Sequence, residues 1–249
     1  MDWGIFAVYV GVGFLAQIID GALGMAYGVS ANSFLLALGL PPSLASACVH
    51  AAELFTTATS GISHRLFGNV DGRLFRRLVI PGVIGGALGA YILSSLPGNV
   101  LKPYVTAYLL IMGLVILARA IWGRNWHFRI WPIPLGAVGG LLDALGGGGW
   151  GPVVTTTLVA SGEHPRQTVG SVNAAEFFVT TAESVMFVIT LGSQMLQQWP
   201  VILGLLLGGV VAAPLAALVC KKLPPRVLMG LVGVLIVGLQ VRTFVLMMR

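Results

Sequence analysis

Residues 143–152 read "DALGGGGWGP": four consecutive glycines between an aspartate and a proline, in a chain that is 57% hydrophobic. Glycine costs about 1 kcal/mol relative to alanine at an interior helix position, so the run marks a place where a helix stops. A second stretch repeats the arrangement. With Asp20 set over Asp143, "DGALGMAYGVSANSFLLALGLPPSLASACVHAAELFTT" (20–57) lies without a gap over "DALGGGGWGPVVTTTLVASGEHPRQTVGSVNAAEFFVT" (143–180), and 13 of 38 positions are identical. Gly24 meets Gly147, Gly28 meets Gly151, Glu53 meets Glu176 and Thr57 meets Thr180. Farther on, Gly85 and Gly86 meet Gly208 and Gly209, and Arg119 meets Arg242. The chain reads as a tandem duplication: a first repeat over 1–122, a linker over 123–129 and a second repeat over 130–249.

Only 9% of the 249 residues are charged, against roughly 25% in a soluble domain. Mean hydropathy is +0.93. Such a chain cannot cover a globule with polar surface, and lipid must be its solvent. Apolar segments recur at 3–19, 22–38, 43–62, 78–96 and 103–122, then at 130–144, 150–161, 168–191, 200–219 and 227–246. The expected fold is an all-α polytopic membrane protein with about 8–10 transmembrane segments. The first two segments of each repeat are short and glycine-interrupted. They are either thin full spans or a re-entrant pair of half-helices, and both choices preserve the odd parity of a repeat. The opening "MDWGIFAVYV" has no basic residue before its apolar run, so it is expected to remain as a span rather than be cleaved as a signal peptide. Cys48 and Cys220 have no metal-ligand spacing and are expected to be packing residues without a disulfide.

Odd parity means that the second repeat enters the membrane from the opposite side. The basic residues test this separately. Arg65, Arg73, Arg76 and Arg77 fall between the third and fourth segments of the first repeat, whereas the matching "LGSQMLQQ" carries no charge. Conversely, the loop at Lys102 holds one cation and its counterpart holds Lys221, Lys222 and Arg226. Eleven of the 14 Lys and Arg residues fall on alternate loops of one side. By the positive-inside rule that side is the cytoplasm, and both termini lie outside. The net charge of +6 is thereby assigned to loops facing the cytoplasm, not to nucleic acid.

Backbone that leaves helical geometry within hydrocarbon must be buried in protein or line a cavity. Paired breaks in inverted halves point to a transporter's binding site near the midplane. A helix that starts there offers about four free N–H groups and about half a positive charge to an anion. Pro152 suits the first turn of such a helix. The expected site lies between the breaks, with Gly24, Gly28, Gly147, Gly148 and Gly149 admitting the ligand to the backbone and Ser30, Asn32, Thr155 and Thr156 adding polar side chains. Asp20 and Asp143 are expected to hold the broken backbone by accepting its N–H groups. The competing explanation is close helix packing through small residues.

The third segments carry the remaining polar groups. His50, Glu53, Thr57 and Ser60 share one helical face, and Asn173, Glu176, Thr180 and Glu183 share the equivalent one. Buried charge is costly in a membrane, so these stripes are expected to face the interior. His50 and Asn173 are assigned to substrate binding, and Glu53, Thr57, Glu176 and Thr180 to the pathway or to proton coupling. The alternative for the two glutamates is protonated structural glue between helices. His50 alone does not define a proton relay.

"GALGMAYGVSANSFLLALGLPPSLASACVHAAE", "GNVDGRLFRRLVIPGVIGGALGAYIL" and the second-half "DALGGGGWGP…VNAAEFF" resemble the sulfite exporter TauE/SafE family over nearly the whole chain. In the first motif, "GALGMAYG" departs from the family's denser glycine pattern. The resemblance implies a multi-pass permease of the inner (cytoplasmic) membrane that moves sulfite, sulfonates or related sulfur oxyanions. No cofactor, metal or nucleic-acid partner is expected. Two other classes stay open: a non-transporting assembly or sensor protein, and an intramembrane enzyme using Asp20 and Asp143 as a pair. Aspartyl proteases of that kind need a "GxGD" context, whereas here each acid precedes its glycines.

Overall fold

The computed structural model describes residues 3–23, 25–122, 130–222 and 224–248. The expected linker 123–129 and Gly24 lie outside the described residues. The protein is an all-α polytopic membrane protein. Helices α1 (Trp3–Leu23), α2 (Tyr27–Ala37), α3 (Pro42–Leu66), α4 (Gly72–Ser95) and α5 (Gly98–Trp122) precede the stretch 123–129. After it come α6 (Pro132–Gly146), α7 (Gly151–Ala160, opening with a π-helical turn over Gly151–Thr155), α8 (Pro165–Leu191), the short α9 (Ser193–Gln197), α10 (Trp199–Lys222) and α11 (Pro225–Met247).

The long helices expose many large apolar side chains, which suits lipid as solvent, and α4 turns mainly small residues inward. On α4, Gly82, Gly85, Gly86, Gly89 and Ala90 are buried, while Ile80, Ile84, Leu88 and Tyr91 are exposed at helical spacing. The small faces allow very close approach. A Cβ added at Gly85 would fall on the carbonyl of Ala137 in α6, and one at Gly208 on that of Val10 in α1. The principal partners are α1 with α10, α4 with α6, α5 with α11, α4 with α8, and α3 with α8. Exchanging the two halves maps these pairs onto one another except for α4 on α8, whose counterpart, α10 on α3, is much less extensive.

The break in each half follows its aspartate by three residues, because α1 ends at Leu23 and α6 at Gly146. The first segment is thus longer than expected. Isolated glycines are tolerated up to Leu23, and α1 reaches 21 residues, about 31 Å at 1.5 Å per residue. By contrast α2 has 11 residues and α6 has 15, too few to cross about 30 Å of hydrocarbon untilted.

The basic loop of the first half is also shorter than expected. Asp71 caps α4 by accepting the N–H groups of Arg73 at 2.7 Å and Leu74 at 3.2 Å, which starts the helix early. Arg73, Arg76 and Arg77 therefore lie on the first turns of α4, not in a loop. Arg166 Nε donates to Asn69 Oδ1 at 2.6 Å, and the Asp71 N–H donates to Ser171 Oγ at 2.8 Å. These contacts hold the start of α8 against the α3–α4 turn.

Candidate functional site

The two breaks meet. A Cβ on Gly148 would land on the Gly28 backbone, so only two facing glycines permit this approach. Gly147 and Gly148 also take φ values of 65° and 131°, a region that L side chains rarely adopt. In the first half the same reversal is made at Ala26, with φ 83°.

Asp143 organises the second break. Its carbonyl accepts the N–H groups of Gly147 and Gly148. Its carboxylate Oδ1 accepts those of Gly149 at 2.5 Å and Trp150 at 2.9 Å. In the first half, Asp20 takes a backbone hydrogen bond from Tyr27, the residue that matches Trp150. The side chains following each break mostly bond to protein. Asn32 Nδ2 donates to the carbonyl of Gly146 at 2.5 Å, tying α2 to the end of α6. The Thr156 hydroxyl donates to the carbonyl of Pro152 and that of matching Ser33 to Val29. Ser30 Oγ and Thr155 Oγ1 are buried with no hydrogen-bond partner.

Helices α3 and α8 bring the acid–base groups. His50 is wholly buried, and its Nδ1 donates to the Ser46 carbonyl at 2.8 Å. Its Nε2 lies 2.9 Å from Glu183 Oε2 and 3.7 Å from Asp143 Oδ2. Ser46 Oγ donates to the Ala144 carbonyl at 2.7 Å, fixing α3 on the end of α6. The polar stripes are brought side by side lower down, where Asn173 Nδ2 donates to Ser60 Oγ at 3.1 Å. Thr57 is turned back on its own helix, donating to the Glu53 carbonyl at 2.8 Å. Thr180 Oγ1 is buried without a hydrogen-bond partner.

Asp20, Tyr27, Glu53, Asp143, Gly148 and Glu176 are among the residues around a small cavity at the junction. Its size is near the least that holds one water, so any larger solute enters only if the surrounding helices move. Four carboxyl groups face it, and no Lys or Arg is among its described lining residues. A larger apolar cavity of about 370 Å³ lies elsewhere, against Gly61, Phe75, Phe177 and Phe178. It contains none of the expected site residues.

The chain matches the family described as Sulfite exporter TauE/SafE over residues 9–243. The chain belongs to this family. It is 45% identical over 247 residues to the "Probable membrane transporter protein YtnM" of Bacillus subtilis (strain 168), covering 96% of this chain and 82% of that protein. No solved structure matches it. The protein is a transmembrane transporter of the TauE/SafE family.

Three participants of this TauE/SafE junction escaped sequence reasoning as partners. Glu183 was legible as the last member of a polar helical face, but not as the partner of His50. Ser46 carries no sequence signal beyond its place one turn before His50. Tyr108 of α5 lies so close to the glycine run that a Cβ on Gly149 would reach its hydroxyl. Folding also brings His50, Asp143 and Glu183 together with ligand atoms within 4.8 Å of one another, a grouping that no local spacing announces.

Proposed function

We propose that this protein is a secondary transporter that moves a small sulfur oxyanion, sulfite or an organosulfonate, across the cytoplasmic membrane without altering it chemically. The observation that carries the reading is the direct meeting of the two helix breaks, Gly28 against Gly148, beside buried polar groups. Paired breaks at a shared interface are how many secondary transporters build a midplane site. The two repeats have opposite orientations, with both termini outside. The matched packing of α1 on α10 and of α6 on α4 supports that arrangement.

The substrate meets the backbone at Gly24, Gly28 and Gly147–Gly149, with Ser30, Asn32, Thr155, Thr156, His50 and Asn173 near it. Glu53, Thr57, Glu176 and Thr180 line the way. An oxyanion suits N–H donors, because its several oxygens meet several dipoles at once. A catalytic pairing of Asp20 with Asp143 gains no support, since Asp143 Oδ1 is committed to two backbone N–H groups.

The test is a thermal-shift screen of purified protein against sulfite, thiosulfate, sulfate and organosulfonates, followed by flux in proteoliposomes. Stabilisation and flux by sulfite or a sulfonate are expected. Absence of both for every anion overturns the reading.

A further inference from the structure

The second break already holds a carboxyl group of the protein's own. Four successive N–H groups, from Gly147 to Trp150, converge on Asp143, two of them on its carboxylate. The other carboxylate oxygen faces His50 Nε2 at 3.7 Å, and Glu183 Oε2 stands 2.9 Å from the same nitrogen. His50 Nδ1 carries a hydrogen, because its neighbour is a carbonyl oxygen, which only accepts. At 2.9 Å, Nε2 and Glu183 Oε2 are close enough to share a second proton, although the contact is not aligned as a hydrogen bond. Asp20 from α1, Tyr27 from α2, Tyr108 from α5, Glu53 from α3 itself and Glu176 from α8 also bear on this cluster. An anion entering beside these groups meets like charge unless protons accompany it.

We infer that Asp143 is a displaceable internal stand-in for the substrate: the entering oxyanion takes over the N–H groups of Gly149 and Trp150, and Asp143 gives them up by accepting a proton through His50, so that one proton enters with each monovalent anion. The inference rests on the transport reading above. In the step, the N–H bond at His50 Nε2 breaks and an O–H bond forms at Asp143 Oδ2. A proton from the aqueous side then restores the bridge between His50 and Glu183. Before entry, the three side chains carry one negative charge, on Asp143. Afterwards they are neutral and the bound anion carries that charge, so the net charge at the junction is unchanged.

The experiment measures proton uptake and anion flux together in weakly buffered proteoliposomes. Methanesulfonate serves as the first probe because it has no titratable proton over the range used, and thiosulfate as the second. For the wild-type protein we expect proton uptake with the anion, and flux rising about tenfold per pH unit toward acid on its proton-limited limb, the mass-action mark of one proton. Asp143→Asn retains an oxygen for both N–H groups but cannot take the proton. Its flux should vary less than about twofold per pH unit, without proton uptake, and His50→Gln should behave alike. Thermal unfolding of each variant reports its fold. Wild-type flux without proton uptake, or retained uptake in both variants, overturns the inference and leaves the transport reading standing. Zinc-dependent stabilisation lost in Asp143→Asn would make the cluster a metal site and also overturns it. Absence of flux for every anion defeats the transport reading, and the inference with it.

Discussion

His50 Nε2 and Glu183 Oε2 stand 2.9 Å apart with neither side chain exposed, joining α3 to α8 across the interior. Removing one member of such a pair strands the other. Glu183→Ala should lower stability by about 3–5 kcal/mol, measured by denaturation in detergent. Glu183→Gln, which still pairs with a neutral imidazole, should cost clearly less. Equal losses for the two variants would show that the contact contributes little.

The two breaks depend on Gly148 for space as well as for backbone angle. Gly39 makes a control, because its φ is 97° with nothing within 4 Å of an added Cβ. Gly39→Ala should cost about 1–2 kcal/mol, from backbone strain alone. Gly148→Ala adds a collision with Gly28, worth about 1–3 kcal/mol more, and Gly148→Val should also lose substrate affinity. Equal melting temperatures for the two alanine variants would count against the close approach.

Tyr108 makes a reciprocal test at Gly149. An added Cβ there would strike the Tyr108 hydroxyl, while the next ring atom, Cζ, stands at 3.3 Å. Gly149→Ala should destabilise by about 1–3 kcal/mol, and Tyr108→Phe should recover part of that loss. The Tyr108 hydroxyl has no hydrogen-bond partner, so the single Phe substitution should be mild. A double-mutant cycle with no coupling energy would refute the contact.

Glu53 and Glu176 flank the same cavity from α3 and α8. As pathway residues, either one changed to Gln should shift the pH profile of transport while expression holds. Unchanged flux between about pH 5 and 8 for both variants would assign them to structural hydrogen bonding.

Membrane orientation can be read with cysteine labelling. Asn69 and Arg166 are in contact, so cysteines near both should react from one face. A cysteine at Gly192 or Gln198, at the far end of α8, should react from the other. Labelling of all positions from one side would end the inverted-repeat reading.

The long helices, the two breaks and the polar faces of α3 and α8 were legible because each rests on local spacing or on the repeat, whereas the short α9 falls in a stretch read as a loop. Asp143 was legible as a backbone holder for the same reason, lying just ahead of its glycines. Helix limits were less so. Asp71 moves the start of α4 back to Gly72, and that depends on a cap which hydrophobic runs do not register. The pairing of His50 with Glu183, and the placing of Tyr108 on Gly149, were not legible. Both depend on how α3, α5 and α8 cross, and helical periodicity identifies a face without naming what opposes it.

Two hydrogen bonds across the junction have a bearing on how the chain is made. Asn32 and Ser46 serve the last carbonyls of α6, their partners lying 114 and 98 residues later in the chain. At about 5–20 residues per second, synthesis leaves these side chains waiting roughly 5–20 s for those carbonyls to exist. His50 waits longer still, since Glu183 is made after Asp143. Throughout that interval the first half must keep its amide, hydroxyl and imidazole groups in contact with water or with one another. The broken-helix junction is therefore one of the last parts of the molecule to form, and the first half on its own is an unfinished membrane protein.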